Sequence, residues 1–143
     1  HRLAGTPSAE TPNRFSDVED GSWYEDAVSW ASSREIVTGY DEESFGPSDD
    51  ITREQMAVIF YRYAKDAGID VTSAGQGVDL ISESSGYSDG HEVSSYAADA
   101  VKWAVGSGLI GGTTNATLSP KGTATRAQAA VILVRFVGMT AAK

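Results

Sequence analysis

A nine-residue stretch, Ile51-Thr52-Arg53-Glu54-Gln55-Met56-Ala57-Val58-Ile59, recurs further on as Ala124-Thr125-Arg126-Ala127-Gln128-Ala129-Ala130-Val131-Ile132, and this limits the chain to repeat architectures. In each copy Thr precedes Gln by three residues ahead of an apolar run. That spacing predicts a capping box, in which the Thr hydroxyl accepts from the Gln amide and the Gln side chain returns to the Thr amide. The first helical residue is then an arginine, Arg53 or Arg126. A guanidinium beside a helix N-terminus makes an anion site; the competing reading is an ordinary solvated arginine.

The flanks repeat as well. Ala27, Val28, Trp30 and Ala31 fall at spacings of three and four, which predicts an amphipathic helix from Trp23 to about Arg34. Ala100, Val101, Trp103 and Ala104 answer them, with Tyr96 in the place of Trp23. Trp30 and Trp103 read as core. Trp23, at the helix entry, reads either as a staple on the core or as a flat platform for a sugar ring. Ile36-Val37-Thr38-Gly39-Tyr40 is matched by Leu109-Ile110-Gly111-Gly112-Thr113, and the shared Gly39 and Gly112 imply backbone that a Cβ would obstruct. After Phe45-Gly46-Pro47, or Leu118-Ser119-Pro120, comes the capped helix, running in the first copy from Ile51 to about Ala67 and stopped by Gly68. Each repeat is thus helix, glycine-bearing loop, longer helix, and the fold class is all-α.

His1-Arg2-Leu3-Ala4-Gly5 fits the register of Tyr61-Arg62-Tyr63-Ala64, with Arg2 under Arg62 and Arg135. Residues 1–13 are therefore read as the end of a preceding repeat and its linker, 14–68 as a repeat, 69–86 as a linker with an apolar cluster at Val78, Leu80 and Ile81, 87–138 as a second repeat and 139–143 as a frayed tail. The linker is long, and either wraps the surface or lets the repeats sit apart. Ala129 to Val134 is nearly continuously apolar, which implies a helix buried on more than one side.

A chain of 143 residues supports one sizeable core or two closely packed repeats. Its acidic residues exceed its basic ones by nine, which argues against nucleic acid and anionic membrane surfaces as partners. There is no cysteine, hence no disulfide and no thiolate metal site, and no apolar run is long enough for membrane insertion. With only His1 and His91 and no nucleophile-and-base pattern, an enzyme is the weakest reading, and neither catalytic residues nor a cofactor is assigned. Asp41, Glu43, Asp49 and Asp50 suit calcium, but the second copy offers Thr114, Asn115, Ala116, Gly122 and Thr123 there, so no shared metal site is read.

Phe15-x-Asp17-Val18, Trp23-Tyr24-x-Asp26-Ala27-Val28-x-Trp30-Ala31, Ile36-Val37-x-Gly39-Tyr40, Phe45-x-Pro47 and Ile51-Thr52-Arg53-Glu54-Gln55-Met56-Ala57 together resemble a repeat of the S-layer homology family, and residues 87–136 resemble a second. The resemblance implies repeats packed in a pseudo-threefold helical bundle with ligand grooves between neighbours. It also implies an extracellular module that anchors an exported protein, without a covalent bond, to a secondary cell-wall polysaccharide of a Gram-positive-type wall, often one bearing pyruvate ketals. On that resemblance the polysaccharide-binding positions are Arg53 and Arg126, with Asp17, Trp23 and Gly39 in one copy and Asp89, Tyr96 and Gly112 in the other. Gln55 and Gln128 stand where the family usually has Glu, which keeps the cap and drops a carboxylate. Asp17 and Asp89 read either as acceptors for sugar hydroxyls or as turn caps. The alternative function is a protein assembly module, through self-association or packing with a further repeat.

Overall fold

The two Thr-Arg stretches open the two longest helices. In a computed structural model, which describes residues 1–80, 87–113 and 117–141, the helices are α1 (Glu25–Ser33), α2 (Arg53–Asp66), α3 (Ala98–Gly106) and α4 (Arg126–Ala141). Short 3₁₀ turns cover Arg2–Ala4, Gly90–Glu92 and Ser95–Ala97. Among the described residues the extended pairing is an isolated antiparallel bridge between Thr52 and Thr123, so the class is all-α.

Both capping boxes form. The Gln55 amide donates to Thr52 Oγ1 at 3.2 Å and the Thr52 amide to Gln55 Oε1 at 2.8 Å. The corresponding distances at Thr125 and Gln128 are 3.2 and 3.0 Å. The stop of α2 also follows the sequence: Gly68 takes φ +71°, its amide donates to Lys65 O, and the Ile69 amide donates to Ala64 O. Helix α4 instead passes through Gly138 to Ala141, because an exposed glycine costs a helix only about 1 kcal/mol and no left-handed turn intervenes. Met139 and Thr140, read as frayed, are helical, and Thr140 Oγ1 donates to Val137 O at 2.8 Å.

The chain divides into two compact units, His1–Asp49 and Asp50–Lys143, so the boundary falls just ahead of α2 and inside the first sequence repeat. In the first unit Phe15, Val18 and Val28 form a small core with Tyr24 and Phe45 against it, the Phe15 and Phe45 rings 5.3 Å apart. Asn13 fastens the entry to α1: its Nδ2 donates to Phe15 O and Val18 O, and its Oδ1 accepts from the Phe15 amide. Trp30 is buried, as read, with the His1 ring 5.6 Å from it.

In the second unit α2 packs on α3, and Tyr61 meets Trp103 edge-on at 5.7 Å. Helix α4 adds Ile132 and Phe136, and the Phe136 ring lies 4.9 Å from Phe60 and 5.6 Å from Tyr63. Trp103, Leu109, Leu118 and Leu80 complete the core. The linker does more than span: Val71 and Leu80 are buried in this core with Val78 packed against it, while Ile81 lies outside the described residues.

The expectation for α4 is overturned. Ile132 and Phe136 are buried on one stripe, but Val131, Leu133, Val134 and Val137 are 49, 43, 72 and 39% exposed. An apolar sequence all round gives burial all round only where there are neighbours to supply it, and here one side alone has them.

Candidate functional site

The Thr-Arg segment of α2 meets the loop that follows α3, all within the second unit. The Arg53 amide donates to Gly122 O at 2.9 Å and the Glu54 amide to Pro120 O at 3.0 Å, which satisfies two of the helix's orphan N–H groups. The Ala124 amide donates back to Ile51 O. The start of α2 is thus fixed by backbone contacts more than 60 residues away in sequence.

Arg53 points inward. Only 6% exposed, its Nε donates to Leu118 O at 2.8 Å and its Nη2 to Gly111 O at 2.6 Å. Asp89 holds the same loop from the other side, accepting from the Leu118 amide at 2.8 Å and the Ser119 amide at 2.7 Å. Burial works to raise the Asp89 carboxyl, but these two amides outweigh it and hold it below the usual carboxylate range. Asp17 repeats the device in the first unit, where the amides of Gly46 and Phe45 depress its carboxyl. Both aspartates are committed to loop amides.

Glu54 follows Arg53 and is 3% exposed. Its carboxylate accepts from the Ser94 amide at 3.0 Å, Ser94 Oγ at 2.9 Å, the Tyr96 hydroxyl at 3.2 Å and Lys121 Nζ at 2.6 Å. Lys121 also donates to Ser94 Oγ. Desolvation would raise the Glu54 carboxyl, but Lys121 and Ser94 reverse this and hold it below the ordinary value. Tyr96 shows the opposite response: burial and the Glu54 charge push its phenol up. Even so, Tyr96 is 60% exposed and the Lys121 side chain 50%, so an aromatic ring and a lysine whose ammonium is paired with Glu54 line the solvent side of one hydrogen-bonded cluster.

The structure therefore brings Arg53, Gln55, Asp89 and Tyr96 to one end of the second unit. Gln55 is spent on its cap. Gly112 lies beside Gly111, whose carbonyl accepts from Arg53, and is exposed. In the first unit Asp17, ahead of α1, caps the Phe45 and Gly46 amides of the loop after α1, and Gly39 lies in that loop: Gly39 has φ +73°, and a Cβ there would lie 2.5 Å from Ser44 O and 2.6 Å from Phe15 Cε1. Trp23 is 87% exposed, its ring edge-on to Tyr24 at 5.4 Å, which removes the core-staple reading. Arg126 is exposed, and Gln128 is spent on the second cap. In the acidic loop Asp41 accepts from the Glu43 and Ser44 amides, while Asp49 raises the Tyr40 phenol by hydrogen bond and charge. Thr114, Asn115 and Ala116 lie outside the described residues.

Lys121, Glu54 and Ser94 were not singled out by sequence. The repeat hides Lys121, whose counterpart in the first copy is Ser48, and Glu54, whose counterpart in the second is Ala127. An acidic residue in the first turn of a capped helix was the available signal for Glu54.

The family model for the S-layer homology domain matches residues 14–57 and 86–130. The chain is 33% identical over 138 residues to an amylopullulanase of Thermoanaerobacterium thermosulfurigenes, covering 92% of this chain and 7% of that protein. It is 34% identical over 121 residues to a cellulosome-anchoring protein of Acetivibrio thermocellus, covering 85% of this chain and 25% of that one. An exoglucanase of the same organism is 34% identical over 125 residues, 83% of this chain and 10% of the relative. The chain thus spans a quarter or less of the length of these relatives. No solved structure matches it. With both repeats matched, the chain belongs to the S-layer homology domain family, whose members serve at the cell surface as anchoring modules.

Proposed function

We propose that the chain holds a larger exported protein to a secondary cell-wall polysaccharide, and that a carboxylate-bearing sugar, such as a pyruvate ketal, is read at the N-terminal end of α2. The observation that carries this is Tyr96 beside Lys121: an exposed ring suited to the apolar face of a sugar next to a half-exposed lysine, paired with Glu54, whose ammonium suits a carboxylate. Ser94 and the α2 cap supply polar neighbours. Arg53 supports the site by fixing the Leu118–Lys121 loop that presents the lysine, and its own guanidinium is largely turned away from solvent. Trp23 is the corresponding platform in the first unit, and Arg126 the solvent-facing arginine of the second Thr-Arg segment.

Co-sedimentation with purified wall sacculi tests this, using native sacculi, sacculi stripped of secondary polymer and sacculi stripped of pyruvate. Binding should vanish with the polymer, weaken without pyruvate, and fall roughly tenfold or more in Tyr96→Ala and Lys121→Ala, since each removes a direct contact. Equal binding to native and stripped sacculi would sink the reading.

A further inference from the structure

Glu54 is a buried charge whose partners reach the surface. Its Oε1 accepts from Ser94 Oγ, the Tyr96 hydroxyl and Lys121 Nζ, and its Oε2 from the Ser94 amide, so the acceptor sites of the carboxylate are all in use. At 3% exposure it acts on a ligand only through these neighbours. What they have left to offer follows by subtraction. Tyr96 and Ser94 have each given their one hydroxyl hydrogen to Glu54, and Tyr96 keeps its ring face and its phenolic oxygen. Lys121 gives one N–H to Glu54 and one to Ser94 Oγ, so one of its three donors remains for a ligand.

The charges subtract as well. Lys121 Nζ lies 2.6 Å from Glu54 Oε1, so an anion drawn to the ammonium also feels the carboxylate close behind it. The attraction that survives this pairing grows in proportion to the ligand's charge, whereas the cost of stripping the ligand's water grows with the square of that charge. A sugar carrying a single carboxylate therefore suits the paired lysine. A phosphomonoester is a dianion with three terminal oxygens, and it meets one free lysine donor and a half-cancelled charge.

Resting on the reading of this end of α2 as a glycan site, we propose that Glu54 is its positioning and specificity-determining residue. By holding Tyr96 and Lys121 together and cancelling the lysine charge, it makes the site take monocarboxylate sugars and refuse phosphomonoester sugars. The repeat agrees that the two residues form one device: Glu54 comes from one copy and Lys121 from the other, and their counterparts Ala127 and Ser48 lack both charges. The Arg62 charge also reaches Tyr96, but it is common to every form of the chain compared below, so a ratio between two ligands isolates the pair.

Calorimetric titration of the full chain with two synthetic probes is the test: a methyl hexoside bearing a 4,6-pyruvate ketal, and the same hexoside bearing a 6-phosphate. At about pH 7.5 the phosphate, with its second pKa near 6, is a dianion. The natural chain should prefer the ketal by about tenfold or more, and Glu54→Gln, which keeps the side-chain size, should shift the ratio toward the phosphate by about tenfold. Ketal binding by the natural chain should change less than about twofold between roughly 0.05 and 0.5 M salt, and should become steeply salt-dependent in Glu54→Gln. An unchanged ratio, with both sugars weakened equally, would make Glu54 a strut of the fold and overturn the proposal. So would a natural chain that binds both probes alike, or whose ketal binding falls several-fold with salt; neither result needs the variant to fold. A natural chain that binds neither probe rejects the glycan reading itself and this inference with it, whereas ketal binding without selectivity rejects the role of Glu54 alone.

Discussion

Arg53 and Asp89 grip one residue from opposite sides: Arg53 Nε donates to the carbonyl of Leu118 and Asp89 Oδ1 accepts from its amide, each at 2.8 Å. The two charges therefore act on each other through a loop as well as through space. Arg53→Met should cost about 3 kcal/mol, because it strands the Leu118 and Gly111 carbonyls in a buried site. Once either partner is gone the loop is already loose. Urea denaturation of Arg53→Met, Asp89→Ala and the double variant should then show coupling on the order of 1 kcal/mol, and strict additivity would mean that the two grips are independent.

Acid should loosen these same loops. The carboxyls of Asp17, Asp89 and Glu54 are all held below their ordinary values in the folded chain. A lowered folded value means that the unfolded chain takes up protons first as pH falls. The stability these groups contribute is thus complete above the ordinary carboxylate range, near pH 4, and is lost as pH drops through their folded values. Melting temperature measured from pH 7 to pH 2 should fall on the acid side, and Asp89→Asn should flatten part of that fall while lowering the plateau at neutral pH.

Gly39 and Gly21 separate two costs that a single glycine substitution usually mixes. Both have positive φ, +73° and +76°, but a Cβ on Gly21 meets nothing within 4 Å whereas one on Gly39 runs into Ser44 O and Phe15. Gly21→Ala should cost about 1 kcal/mol from backbone strain alone. Gly39→Ala should cost roughly 2 to 4 kcal/mol, since backbone and an aromatic core residue must both move. Equal melting temperatures for the two variants would mean that the loop around Gly39 yields freely.

Much of this fold is legible in the sequence because its signals are local. Thr52 with Gln55 and Thr125 with Gln128 announce two helix starts, and the spacing of Ala100, Trp103 and Ala104 announces a buried face. What is not legible depends on distant backbone. Whether a first-turn arginine faces solvent or the core is decided for Arg53 by carbonyls 58 and 65 residues away, and no pattern around Arg53 records them. Asp17 and Asp89 are caps for amides 28 to 30 residues on, a relation that the repeat shows twice but that composition alone does not distinguish from a ligand site. Helix α4 misleads for a different reason: its sequence is apolar nearly all round, but only the stripe of Ile132 and Phe136 meets the core, while Val131, Leu133 and Val134 stay exposed.

Trp23 gives the cleanest separation of binding from folding. Its side chain is 87% exposed and touches the Tyr24 ring edge-on, so Trp23→Ala removes little that the fold uses and should change stability by no more than about 0.5 kcal/mol. Arg53→Ala cannot serve this purpose, because a loss of wall binding there would follow from a loosened Leu118–Lys121 loop whether or not the guanidinium touches sugar. If Trp23 is a platform for a sugar ring, sacculus binding by Trp23→Ala should drop while the urea midpoint stays where it was, and Trp23→Tyr should recover most of the loss because a phenol ring offers the same kind of flat face. Unchanged binding in Trp23→Ala, together with loss in Tyr96→Ala, would place recognition wholly in the second unit. The surface around α1 would then be left to packing.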